Sequence, residues 1–170
     1  MSKPQDITRR LVLLGITDDT KQNISIFFPT FTAEIDGIIK KFYAHILSFP
    51  EGKEIFSGID IRGSLERRQK EHWIRLFSCR FDAQYTSSAI RVGQAHFEKK
   101  IAPYLYLAGY NFFHCELIQL ISKTYAKSIG LPSMLSGITR LITLDMDLAL
   151  SAYTREYWKR APFDLDVGDR

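Results

Sequence analysis

Residues 91–110, RVGQAHFEKKIAPYLYLAGY, join the end of one predicted helix to the beginning of the next. His96 lies on the apolar side of the first helix, and Pro103 marks the beginning of the second because proline is favoured in a first helical turn. A helix that only packs would carry a leucine at position 96. The imidazole is therefore either a tolerated core residue or a functional one.

Apolar residues on both sides of this stretch recur at about every 3.6 residues, and no segment alternates with the period of a strand. The pattern predicts an all-α fold. Thr17 is a predicted cap, and Pro29 is expected to divide two helices because proline interrupts helical hydrogen bonding. The predicted helices are a short one that ends at Gly15, then 18–28, 30–48, a brief turn at 51–56, 61–78, 82–100, 103–128 and 133–159.

Length and composition favour one globular unit. The chain has 170 residues, of which 45% are hydrophobic, 13% aromatic and 25% charged, which excludes a disordered chain. We expect one domain over 1–160 and a tail or linker over 161–170. The formal charge is +4, but the basic residues are dispersed among acidic ones, so nucleic acid is not an expected partner.

The cysteines and the hydropathy pattern indicate a cytoplasmic protein. Cys79 and Cys115 are the only cysteines, and their spacing suggests neither a metal site nor a secreted disulfide framework; their roles stay open. No apolar run reaches the roughly 18 residues of a membrane span. We therefore expect no membrane association.

The motifs of hydrolytic and phosphate-binding enzymes are absent from the sequence, so a non-enzymatic protein is expected. Gly93 lies one turn before His96 on the same face, and Val92 keeps that face smooth. This arrangement suits a haem iron ligand, because a flat porphyrin could approach the helix there. With a haem bound, Tyr106 could contact the other ring nitrogen of His96. The alternative is a buried histidine in a core.

Two further polar residues interrupt apolar stripes. Tyr43, next to Phe42, is either a core residue whose hydroxyl reaches the surface or, with a haem present, a hydrogen-bond donor to dioxygen. Gln69 is a helix contact, a side chain that extends to solvent, or a second polar group beside a ligand. Arg68 either points to water or reaches a haem propionate.

The last two predicted helices have apolar surfaces that are broader than one core requires. Residues 104–126 are apolar almost all round, and the final helix carries a wide stripe. We expect a homodimer in which these helices form a four-helix bundle, and the alternative is a single thick core. The stripe comprises Leu135, Ile138, Ile142, Ala149 and Tyr153, broadened by Leu141, Leu144, Leu148 and Ala152.

Three segments resemble the sensor globin of the globin-coupled sensors, bacterial haem proteins that include aerotaxis transducers and diguanylate cyclases. They are FYAHILSFPEGKEIF (42–56), LERRQKEHWIRLFSCRFDAQY (65–85) and IRVGQAHFEKKIAPYLYLAGY (90–110), and the likeness extends over about 18–158. The resemblance implies a three-over-three globin with an extra N-terminal helix and no distinct D helix.

The same resemblance implies a set of site residues. His96 falls on the proximal ligand of haem b, Tyr43 on the distal tyrosine that hydrogen-bonds bound dioxygen, and Leu65 on a leucine that gates water and ligand access. Arg68 and Gln69 occupy the next distal turn, and Tyr106 matches a tyrosine that can contact the proximal histidine. Lys99 and Lys100 stand where many members have isoleucine and glycine.

As the resemblance implies, the function is reversible binding of dioxygen and other diatomic gases (CO and NO), with a signal carried across the helical dimer. A five-coordinate iron is expected, and His72 as a sixth ligand is the alternative. Two other functions stay open. One is a stand-alone haem enzyme, a nitric oxide dioxygenase or peroxidase, and the other is a haem-free interaction module in which His96 only packs.

Overall fold

The computed structural model describes residues 7–160, and within them the side chains of 7–151 and Thr154. Every regular element in this range is helical, which confirms the all-α prediction. The predicted tail 161–170 and the stripe residues Ala152 and Tyr153 lie outside what is described. The helices are α1 (Ile7–Leu13), α2 (Asp18–Ile46), α3 (Pro50–Ile55), α4 (Glu66–Phe77) after a π-helical turn (Ile61–Leu65), α5 (Ala83–Glu98), α6 (Pro103–Thr124) and α7 (Leu131–Arg160).

Several helices begin where the sequence places a capping residue. The Thr17 hydroxyl accepts a hydrogen bond from the backbone N–H of Thr20, and Thr20 returns one to the Thr17 backbone. Asp82 accepts a bond of 2.8 Å from the backbone N–H of Tyr85 at the start of α5. Pro103 opens α6. Backbone N–H groups in the first helical turn have no helical acceptor, so proline loses no hydrogen bond there. These local signals position the ends of the helices that carry the site.

The prediction that Pro29 separates two helices is wrong, since α2 passes through it without a break. Proline removes one helical hydrogen bond and crowds the preceding turn, at a cost of about 3 kcal/mol. Phe27 and Phe31, on either side of Pro29, are fully buried, and both rings contact Phe77 of α4. Because burial of each phenylalanine contributes about 1.5–3 kcal/mol, this packing offsets the cost and keeps α2 continuous.

The fold centres on α7, which packs most extensively against α5 and also against α6 and α2. The backbones of α5 and α7 meet at Gly93, where an added Cβ would overlap the backbone of Ala149. Gly93 was predicted to leave room for a flat cofactor, but α7 occupies that position. Within 7–160, none of the helices combines the length and apolarity needed to cross a membrane.

We expect Gly93→Ala to lower the free energy of unfolding by about 1–3 kcal/mol, because α5 and α7 must separate to admit the methyl group. Gly37→Ala is the matched control: it is also helical, and nothing lies within 4 Å of its added Cβ. The control should raise stability by up to about 1 kcal/mol through helix propensity. Urea unfolding of both variants checks this, and equal stability changes would contradict the close helix contact.

Candidate functional site

His96 lies in the last turns of α5 with its ring held by the backbone. Its Nδ1 is 2.7 Å from the carbonyl oxygen of Val92, and because a carbonyl only accepts, Nδ1 carries the proton. Burial lowers the pKa of His96 and outweighs the opposing effect of this hydrogen bond. The ring is therefore neutral at pH 7, and Nε2 keeps its lone pair with no hydrogen-bond partner among residues 7–151. A neutral imidazole oriented through its other nitrogen is a typical metal ligand.

Tyr106, in the first turns of α6, packs against this imidazole. The two ring centroids are 5.0 Å apart with the planes at 77°. Nδ1 donates its hydrogen bond to the Val92 carbonyl rather than to Tyr106, and Tyr106 makes an edge-to-face ring contact instead of the predicted contact with the other nitrogen. The Tyr106 hydroxyl is buried and meets no hydrogen-bond partner in the described part of the chain.

The backbone at the end of α5 fixes the turn that carries His96. The N–H of Ile101 donates to the His96 carbonyl at 3.0 Å, and the N–H of Lys100 donates to Phe97 at 2.9 Å. This is the closing arrangement that usually has glycine in the left-handed conformation. Lys100 takes that conformation with φ of 55°, so a lysine stands at a position whose backbone favours glycine.

Tyr43 of α2 is buried, with its ring centroid 5.2 Å from that of Phe42 and 5.5 Å from that of Phe56. Burial raises the pKa of Tyr43 to about 12, and the negative charge of Glu66 adds to the effect. The phenol therefore keeps its proton at neutral pH. Its hydroxyl forms no hydrogen bond with any described side chain or backbone group, which leaves a donor available for a ligand.

The predicted residues at the start of α4 separate into inward and outward groups. Leu65, at the end of the π-helical turn, is half-buried. Gln69 lies one turn later and is half-buried. Its Oε1 is buried without a hydrogen-bond partner in the described residues, so this atom does not extend to solvent. Arg68 is exposed, as the water-facing alternative requires.

Phe42 occupies the interface between α2 and α6. Its ring centroid lies 5.0 Å from that of Phe113 and 5.8 Å from that of Phe112, and Gly109 leaves room for its edge. These contacts explain Phe42 by helix packing. The ring of Phe42 also packs against the ring of Tyr43.

Sequence reasoning missed a buried carboxylate on α7. Asp145 has no exposed surface, and it accepts hydrogen bonds from the hydroxyl of Tyr85 at 2.8 Å, the hydroxyl of Tyr110 at 2.5 Å and Nε2 of His72 at 2.7 Å. Burial raises its pKa, but the attraction and hydrogen bonds of His72 and the phenols dominate, so the pKa of Asp145 falls below its usual value. The available signal was an acidic residue within the apolar stripe of the last helix.

This network includes His72, the residue considered above as an alternative sixth iron ligand. Burial lowers the pKa of His72, and the adjacent carboxylate more than offsets that effect, so the net shift is upward. Its Nε2 is engaged by Asp145, while Nδ1 is buried without a partner in the described residues. The geometry thus gives His72 a structural partner on α7.

The remaining titratable groups in the described range form no metal site. No group of three or more histidine, cysteine or acidic side chains within it is arranged to hold a metal ion. Cys79 and Cys115 are both free thiols, and burial raises the pKa of Cys79 to about 11.

The residues present fit a haem. His96 offers a neutral nitrogen oriented by Val92, and Tyr43 offers an unengaged phenol. Gln69 and Tyr106 each bury a polar atom without a partner in the described residues, and buried polar atoms are normally satisfied unless a ligand or water completes the site. His96 would be the iron ligand, and Tyr43 would face a small molecule bound near it.

Comparisons with known proteins identify the family and the fold of the chain. The Protoglobin family model matches residues 3–159. The heme-based aerotactic transducer HemAT of Halobacterium salinarum is 24% identical over 171 residues, which cover 95% of this chain and 35% of the transducer. This chain thus spans well under half of that relative's length.

The globin domain of the Geobacter sulfurreducens globin-coupled sensor has a similar structure, with a TM-score of 0.80 at 15% sequence identity. The match covers 86% of this chain and 96% of that domain. It confirms the globin fold, and the family match confirms the resemblance inferred from the three sequence segments. Since the family model spans most of its length, the chain belongs to the Protoglobin family.

Proposed function

We propose that this chain is a haem-binding sensor domain that reversibly binds dioxygen and other diatomic gases such as CO and NO, with haem b held by His96. The observation that carries the proposal is the His96 imidazole, neutral, oriented by Val92 and free at Nε2. The relative from Halobacterium salinarum, named a heme-based aerotactic transducer, supports it. When bound, the haem supplies an iron with an open position for a gas molecule.

The side chains of the site have separate tasks in this proposal. His96 holds the iron from α5, and its hydrogen bond to Val92 keeps the ring oriented. The Tyr43 hydroxyl donates a hydrogen bond to a polarised gas molecule, because its raised pKa keeps the phenol protonated. Leu65 limits entry of water, and Gln69 supplies a second polar atom beside the ligand. The role is sensing rather than catalysis, in the cytoplasm, where the two free thiols stay reduced.

We expect Tyr43→Phe to raise the dissociation rate of dioxygen by about 10-fold or more, since a hydrogen bond to a polarised acceptor contributes about 1.5–3 kcal/mol. Carbon monoxide, a weaker acceptor, should dissociate at nearly the parent rate. Stopped-flow displacement on reduced, haem-loaded protein measures both rates. Tyr125→Phe is the control, because its hydroxyl bonds to Thr30 and Ile26. An unchanged dioxygen rate in Tyr43→Phe would make Tyr43 a packing residue only.

The predicted apolar stripe of α7, including Ile138, Ile142 and Ala149, is buried in the core of the single chain, as the single-core alternative requires. The proposed sensor acts as a homodimer for which α6 supplies the exposed apolar surface. Tyr104 and Leu107 of α6 are 61% and 45% exposed, and apolar side chains on neighbouring turns of a helix favour a partner surface. We expect sedimentation at micromolar concentration to give twice the chain mass, and Leu107→Glu to give the monomer. Val12→Glu on α1, where Val12 is 74% exposed, should leave the dimer intact. A mass of one chain for the parent protein at this concentration would overturn the proposed dimer.

A further inference from the structure

The carboxylate of Asp145 connects α7 with three other helices. Its partners are His72 of α4, Tyr85 of α5 and Tyr110 of α6, each at hydrogen-bond distance. A fully buried carboxylate is costly unless such partners satisfy it. Because Oδ2 accepts from both His72 and Tyr110 while Oδ1 accepts from Tyr85, a displacement of any one helix changes the environment of this single side chain.

One branch of this network leads to the candidate iron ligand. The ring of His96 contacts Tyr106 at 5.0 Å, and the ring of Tyr106 lies 4.8 Å from that of Tyr110. The hydroxyl of Tyr110 then donates to Asp145 at 2.5 Å. All the phenols involved are buried. A movement of His96 is therefore transmitted to α7 through close contacts, because packed interiors resist continuous deformation.

The second branch starts on α4. His72 lies three residues after Gln69 on α4, so the two side chains share one face of the helix. Its Nε2 bonds to the same carboxylate oxygen that accepts from Tyr110. Asp145 thus contacts groups from the helix that carries Gln69 and from the helix that carries Tyr106. These are the helices on which the inward polar atoms of the site lie.

We propose that Asp145 is a positioning residue that couples α7 to the site at His96, with Tyr110 and Tyr106 as the connecting side chains. The inference rests on the proposed function, because it assigns the helix that responds when a gas binds. A gas molecule that shifts His96 favours one placement of α7 by its differential affinity for the two. By linkage, a change at Asp145 that alters the equilibrium between the two placements of α7 also alters the gas affinity.

Two conservative variants separate coupling from simple stabilisation. Tyr110→Phe and Tyr85→Phe each remove one phenol that donates to Asp145. The ring of Tyr85 contacts Phe81, whereas the chain of ring contacts from His96 runs through Tyr106 to Tyr110. The helix of Tyr85 already meets α7 at the backbone of Ala149 through Gly93. Both variants should lose similar stability toward urea. Only Tyr110→Phe breaks the link between Tyr106 and α7.

The experiment uses the full chain, loaded with haem and reduced, with carbon monoxide as the probe. We expect Tyr110→Phe to change the carbon monoxide affinity by about 2- to 30-fold, the usual range for residues that modulate coupling. Its iron–histidine stretching band in resonance Raman spectra should also move, while both readouts stay at the parent values in Tyr85→Phe. Hydrogen exchange of residues 141–150 should respond to carbon monoxide in the parent and lose that response in Tyr110→Phe.

The contrary results are distinct. Equal effects of the two variants on affinity, or no effect of either, would make Asp145 a structural group only and overturn the coupling. The absorption spectrum of the parent is recorded before any variant is tested. A parent that takes up no haem would refute the proposed function and the coupling with it, whereas a parent that binds haem and carbon monoxide leaves the variants as a test of the coupling alone.

Discussion

Replacing His96 with glycine should weaken the binding of haem by at least about 100-fold, since removal of groups that merely orient a metal ligand already costs 10- to 100-fold. The Soret band of the reconstituted protein should be lost or reduced to that of loosely held haem. Added imidazole should enter the space left by the side chain and restore a spectrum with a single imidazole on the iron. Absorption titration with hemin, with and without imidazole, measures the effect.

His114→Gly is the control for this experiment. It also places a glycine in a helix and removes a histidine, but His114 lies on α6 with its Nε2 against the Thr139 hydroxyl at 3.0 Å. Its haem affinity should equal that of the parent. If His96→Gly bound haem as tightly as His114→Gly, then His96 would be a core histidine that happens to lie at this position, and another residue would hold the iron.

Replacing Asp145 with alanine should produce the largest loss of stability, about 3–5 kcal/mol, the usual cost of removing one partner of a buried charged pair. Removal of the carboxylate leaves His72, Tyr85 and Tyr110 with buried donors and no acceptor. For a domain of this size, the melting temperature should fall by about 2–4 °C for each kcal/mol. Urea and thermal unfolding of the haem-free chain measure both quantities.

Asp147→Ala, two residues later on α7, is the matched control. Asp147 forms an ion pair with Arg10 of α1, and its side chain is 46% exposed. The Arg10 side chain is 19% exposed. Because water still reaches Asp147, loss of this pair should cost far less stability than loss of the fully buried Asp145. Similar losses of unfolding free energy in the two variants would show that the buried hydrogen bonds of Asp145 contribute no more stability than the ion pair of Asp147.

Much of the local structure was predictable because it depends on neighbours in sequence. Thr17, Asp82 and Pro103 begin helices where capping and proline preferences place them. His96 was identifiable because a polar residue on an apolar helical face is unusual whatever surrounds it. The globin resemblance depended on the same local spacing around residues 65–110.

Three features depended on contacts between distant residues. Pro29 stays inside α2 because the buried Phe27 and Phe31 favour a continuous helix. Gly93 is close to α7 rather than to an open face, which only the position of Ala149 decides. Asp145 resembles an interruption of an apolar stripe until residues from three other helices supply its hydrogen bonds.

The sequence by itself therefore determined the helical class, most helix ends, the family and the histidine that we propose as the iron ligand, since periodicity, caps and single polar residues are local properties. Tertiary structure alone decided which ring packs against that histidine and which buried groups lie between it and α7. The physical reason is that burial and hydrogen-bond satisfaction depend on groups far apart in the chain, as the distance of 73 residues between His72 and Asp145 illustrates.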